Sequence, residues 1–141
     1  MSLEPIVADA DTDLDLGMDS GLEEIKRRIE QEMEKSQPIP VVVSFYGLPD
    51  AGKSYLMEEL RAYFMGEGKT VKCTEHALLS ESHEALMELM PPCDIVLFHI
   101  ARARGDIPLR EDITDLNVGV YASNLLQPRP NGEYDLVVNN Q

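Results

Sequence analysis

Tryptophan is absent from this sequence, cysteine occurs twice, and 12 lysines and arginines face 26 aspartates and glutamates. Each shortage excludes something. Cys73 and Cys93 lie far from any metal-type spacing, so neither a zinc module nor a disulfide framework is legible. Both read as reduced structural thiols, which points to a cytoplasmic (cytosolic or nuclear) address. The formal net charge of −14 repels nucleic-acid backbones and anionic membranes, so neither is expected as a partner. No apolar run approaches the roughly 18 residues that a membrane span needs. The opening "MSLEPIVADADTDLDLG" has neither the basic start nor the apolar stretch of a secretory signal.

What remains is a chain of 141 residues with 43% apolar content, the size and composition of one globular domain. The charge is uneven: residues 1–36 carry eleven acidic and four basic side chains, −7 of the total −14. Residues 1–19 hold Glu4, Asp9, Asp11, Asp13, Asp15 and Asp19 with no lysine or arginine, which predicts a disordered acidic tail. The alternating aspartates suggest a calcium loop, but no glutamate stands at the twelfth position from Asp9, so that reading is set aside. Residues 20–141 are expected to form the domain. Ser20 and Glu23 have capping-box spacing. Leu22, Ile25, Ile29 and Met33 follow at helical spacing, predicting a helix over 21–36.

"VVVSFY" (41–46) is apolar on both faces, as a central parallel strand must be. A helix is expected over about 53–65, ended by Gly66 and Gly68. Further strands are expected at 69–75, 93–100, 116–122 and 134–140. A helix around Ala85–Met90 should stop at Pro91 and Pro92, and "IPLREDITD" suits one or two helical turns. Strands alternating with helices predict an α/β fold, a three-layer sandwich around a mostly parallel five-stranded sheet.

Between the first strand and the helix after it runs "GLPDAGKSY", with Gly47, Gly52, Lys53 and Ser54 in the spacing G-x-x-x-x-G-K-S. Gly47 lets the chain turn out of the strand, and Gly52 lets the backbone approach an anion with no Cβ in the way. The loop amides then converge at a helix N-terminus, where the dipole favours negative charge. Lys53 would reach the β- and γ-phosphates, and the Ser54 hydroxyl would take one Mg²⁺ position. Gly47, Leu48, Pro49, Asp50, Ala51, Gly52, Lys53, Ser54 and Tyr55 are therefore the candidate nucleotide-binding residues.

This segment resembles the phosphate loops of P-loop nucleotide-binding proteins, and within them the kinase-like branch. "GLPDAGKSY" is similar to the loops of adenylylsulfate kinases and 6-phosphofructo-2-kinases, and "YDLVVNN" to the closing strand of several small-molecule and nucleotide kinases. The resemblance implies a strand order of 2-3-1-4-5, with Mg²⁺ and ATP as cofactors. GTP is the less favoured nucleotide, since no N-K-x-D box is present. It also implies a kinase-like phosphotransferase or NTPase acting on a small molecule.

Two features depart from that pattern. The third strand ends in His99 where many such proteins place an aspartate; its own acid, Asp94, sits at the far end and reads as a strand-start residue. The link "SNLLQPRPNGE" is too short for an arginine-rich lid and holds Arg129 as its single basic residue, so the lid is reduced. Glu75, closing the second strand, is the candidate for the metal's water shell or for the acceptor proton. Ser54 and Glu75 are thus the candidate metal positions. Arg102 and Arg104, in "ARARGD", share the phosphate edge and are candidates for neutralising transferring charge. His76 and His99 are lesser substrate-binding candidates, and Asn139, Asn140 and Gln141 are expected near the base. The departures also support an alternative, a degenerate nucleotide-binding or regulatory module that works through protein partners.

Overall fold

A computed structural model of the chain describes residues 15–35, 40–75, 93–106 and 114–141. Five strands form one sheet: β1 (Val41–Tyr46), β2 (Val71–Glu75), β3 (Ile95–Ile100), β4 (Leu116–Tyr121) and β5 (Leu136–Asn139). Every pairing is parallel, and the order is β2-β3-β1-β4-β5. The fold is therefore α/β with an all-parallel sheet in the order 2-3-1-4-5. β1 lies at its centre, with Val43 opposite both Leu97 of β3 and Leu116 of β4. All six β1 residues are buried, which explains an apolar run with no alternation.

Among the described residues, two α-helices pack against the sheet. Helix α1 (Met18–Glu34) buries Leu22, Ile25 and Ile29, and α2 (Lys53–Gly66) buries Leu56, Met57, Leu60 and Phe64. α1 packs on α2, β1 and β5, while α2 packs on β2 and β3. Fully burying a side chain such as Ile25 or Ile29 contributes about 1.5–3 kcal/mol. At the helix–helix seam, the Lys26 ammonium lies 4.3 Å from the centre of the Tyr63 ring. The expected helix at 85–90 and most of the expected turns after Ile107 lie outside the described residues. Among the described residues no helix is long and apolar enough to cross a membrane.

The start of α1 corrects the expectation. The helix begins at Met18, three residues early, and its N-cap is Gly17, with no side-chain cap. The Ser20–Glu23 box does not form. Tertiary packing dictates the entry: Gly21 rides so close to β5 that a Cβ there would fall 2.6 Å from a Val138 methyl. Leu16 pairs in parallel with Val138, its amide donating to Val137 O at 2.9 Å and its carbonyl accepting from Asn139 N at 2.7 Å. Residues 15–19, expected within a disordered tail, are therefore placed. Residues 1–14 lie outside the described residues.

The N-terminal edge of the sheet is tied by three aspartates, each directly preceding a strand. Asp94 accepts from Thr70 N, Asp115 from Val42 N and Asp135 from Asn117 N, at 2.8, 2.8 and 2.7 Å. Each supplies an acceptor to an adjacent strand entry, where the ladder has none. Asp94 is thus the strand-start residue its position suggested.

Candidate functional site

The phosphate-type loop follows directly from β1. The Gly47 amide donates to Ile100 O at 3.2 Å and Arg102 O at 3.0 Å, which draws the chain across the end of β3. A Cβ on Gly47 would fall 2.1 Å from Val120 O, so only glycine threads between β3 and β4. Asp50 then adopts φ 67° and Gly52 φ 111°. Gly52 is the N-cap of α2, with Lys53 as the first helical residue.

Lys53 closes the loop into a ring. Its Nζ donates to Gly47 O and Leu48 O, both at 2.7 Å, and the residue is only 2% exposed. Burial pushes its pKa down to about 8, against the opposing pull of Asp50. From outside, Gln127 Nε2 donates to Pro49 O at 2.8 Å and Asn140 Nδ2 to Ala51 O at 3.3 Å. Asn140 thus braces the loop, while Asn139 Oδ1 accepts from Ser123 N at 3.2 Å. The loop is therefore held by its own lysine and by two side chains from neighbouring elements.

The same arrangement leaves donors for an anion. Among the described residues, no acceptor receives the amides of Gly52, Lys53, Ser54 or Tyr55. Those are the orphan donors of a helix N-terminus, and no acidic side chain occupies the first turn of α2. These four amides stand at the positive end of the α2 dipole, and the first two carbonyls of the same loop hold the Lys53 ammonium.

Cavities flank the loop on two sides. Toward β2 and β3, one of about 500 Å³ is lined by Ser54, Glu58, Lys72, Thr74 and His99 among others. Toward the β4–β5 link, one of about 640 Å³ is lined by Gly47, Leu48, Arg102, Asp106, Arg129 and their neighbours. Leu48 and Tyr55 are about half exposed, at 46% and 50%, so the loop faces solvent on both flanks.

The two arginines after β3 part company. Arg102 is exposed and lines the larger cavity. Arg104 lies in a 3-10 turn, where its amide donates to Tyr134 Oη at 2.7 Å and its Nη1 to Glu133 O at 3.4 Å. That turn packs on the link through Gly105 N to Asn131 O at 2.9 Å, which carries Arg104 toward β5. Glu75 closes β2 with its backbone in register with His99 of β3. His76 lies outside the described residues. Both cysteines are free thiols, and burial pushes their pKa values up, away from reactivity.

Among the described residues, no group of three or more histidines, cysteines or carboxylates could hold a metal ion. The Ser54 side chain stands in the first turn of α2 and lines the smaller cavity. A single hydroxyl fits Mg²⁺, which takes one or two protein oxygens and draws its other ligands from water and bound phosphate.

Two residues escaped the sequence reading: Gln127, which braces the loop, and Asp15, which pairs with Arg129. Neither carries a local signal, because each meets its partner across the fold.

No protein-family model matches this chain, and no curated protein sequence does. Among solved structures, one described as a "Possible Uridine Kinase from Bacillus stearothermophilus" is similar over 68% of this chain and 80% of that chain, with 12% identity and a TM-score of 0.40.

Proposed function

We propose that this chain binds a nucleoside triphosphate, as Mg-ATP, in the loop from Gly47 to Tyr55, and acts as a kinase-like phosphotransferase or NTPase. The observation that carries the reading is the loop itself: the Lys53 ammonium bonded to Gly47 O and Leu48 O, beside four helix amides that lack acceptors among the described residues. The β- and γ-phosphates would lie against these amides, with Lys53 beside them. Ser54 would hold Mg²⁺, which when bound neutralises the phosphate charge.

Glu75, at the C-terminal end of β2, would order the metal's water or take the acceptor's proton. Arg102 would meet developing charge from the larger cavity. Arg104 would support it by fixing the turn against Tyr134. The acceptor would be a small molecule entering beside Ser54 and His99.

A second reading has its own observation. β3 places His99 rather than an acid in register with Glu75, and the β4–β5 link carries Arg129 as its single basic residue. A chain that holds nucleotide without turning it over, and signals through a protein partner, fits that sparse catalytic set.

Calorimetry with Mg-ATP and Mg-GTP decides the binding claim. Binding in the micromolar range that Lys53→Ala abolishes supports it, and silence from the native chain refutes it. Phosphate release lost in Glu75→Gln supports the enzyme, whereas binding with no release supports the module.

A further inference from the structure

The acidic segment leading into α1 has no part in the nucleotide reading, yet it docks beside the same loop. The Asp15 side chain is only 4% exposed. Its carboxylate accepts from Arg129 Nε at 3.1 and 3.0 Å, from Arg129 Nη2 at 2.9 Å and from Tyr121 Oη at 2.9 Å. Leu16 is strapped to β5 by its two backbone hydrogen bonds. Met18 rests on the phosphate loop, for a Cβ on Gly52 would fall 2.9 Å from its methyl carbon. Three successive anchors thus carry the segment along β5, over the β4–β5 link and onto the last glycine of the loop.

Arg129 is the link's single basic residue, and it lines the same cavity as Gly47, Leu48 and Arg102. A guanidinium fork matches two kinds of oxyanion, carboxylate and phosphate. Here a carboxylate holds it. The segment also brings the wrong sign of charge to a phosphate site, since its described residues, 15–19, carry two acidic and no basic side chains. Both effects oppose a triphosphate.

Resting on the nucleotide reading above, we propose that the Asp15–Met18 segment is an intramolecular latch on the nucleotide site, with the Asp15 carboxylate holding the Arg129 guanidinium against competition from the phosphates. Nucleotide binding draws Arg129 away from Asp15. The strap at Leu16, only two backbone bonds, then opens. Reciprocity requires that whatever frees the segment strengthens nucleotide binding by the same factor.

The test uses the full chain. Mg-ATP affinity is measured by calorimetry for the native protein, Asp15→Asn and Leu16→Pro; the proline removes the amide that bonds Val137 O. Each variant should bind about tenfold more tightly. Amide exchange of the native protein gives a readout that does not depend on variants folding: saturating Mg-ATP should speed exchange at Leu16 and Asn139 while slowing it in the loop. Unchanged affinity in both variants, with exchange at Leu16 unaltered by nucleotide, overturns the latch and leaves nucleotide binding intact. Weaker binding by Asp15→Asn, with Leu16 more protected, also overturns it, because the carboxylate would then be orienting Arg129 for the phosphate. Absence of binding in all three proteins removes the nucleotide reading and the latch together.

Discussion

Raising the pH should titrate one lysine out of the binding site while an ordinary lysine stays charged. Lys53 is 2% exposed and its pKa falls to about 8 through burial. The ammonium form binds phosphate, and bound phosphate keeps the proton on. The free protein therefore loses competence as pH passes about 8, while the complex holds its proton to higher pH. At pH 7 about nine-tenths of Lys53 is charged; at pH 9 about one-tenth is. Affinity for Mg-ATP should be flat up to pH 7 and fall about tenfold by pH 9, or about 1.4 kcal/mol. A lysine at its ordinary value would lose only about 3% of its charge at pH 9. The assay is calorimetry from about pH 6.5 to 9.5 in buffers of differing ionisation enthalpy, and near pH 9 binding should take up close to one proton. Lys53→Arg, charged throughout, should flatten the profile. Asp50→Asn should move the break to lower pH, since Asp50 is what opposes the shift. A native profile flat through pH 9.5, or the same decline in Lys53→Arg, would refute the reasoning.

Three other perturbations follow from the geometry. Gly47→Ala places a Cβ 2.1 Å from Val120 O and should cost at least about 2 kcal/mol of stability in a denaturant titration; a native-like midpoint would contradict the threading of the loop. Asp115→Ala removes the acceptor of the Val42 amide and should cost about 1–3 kcal/mol. It should leave Mg-ATP affinity within about twofold, because Asp115 lies at the opposite end of the strands from the loop. Glu24 is held down to about 2 by its hydrogen bonds to Arg27 and Arg28. As a carboxyl with a depressed folded pKa, it stabilises above its ordinary value and loses that contribution as pH falls toward 2. Its side chain is 24% exposed, so Glu24→Gln should cost about 0.5–1 kcal/mol at pH 7 and nothing near pH 2. Equal losses at both pH values would show that the charge is not the cause.

Local pattern made much of the fold legible. β1, β3, β4 and β5 are largely apolar runs bounded by aspartate, glycine or proline, and a run of β-branched residues buried on both faces has few alternatives to a parallel sheet. The loop was legible for the same reason: Gly47, Gly52 and Lys53 meet backbone requirements set within a few residues. A further local signal lies in three short stretches. "CDI", "TDL" and "YDL" precede three strands in turn, and in all three the aspartate ties a neighbouring strand's entry. The capping box failed because Ser20 and Glu23 favour a start that Gly21 against Val138 overrides.

The sequence by itself determined the elements that depend on near neighbours: the glycine-bounded loop between β1 and α2, the apolar strands and the amphipathic helices. Only the tertiary structure decided which distant charges meet. Arg102 and Arg104 are two residues apart, yet one lines the cavity and the other turns to Tyr134, because the 3-10 turn that begins at Arg104 packs on the link. Asp15 and Arg129 are 114 positions apart, and nothing near either one predicts the pair. Backbone preferences act over a few residues and leave a trace in local spacing. An ion pair costs desolvation that only a particular packed arrangement offsets, so it becomes visible once the chain has closed around it.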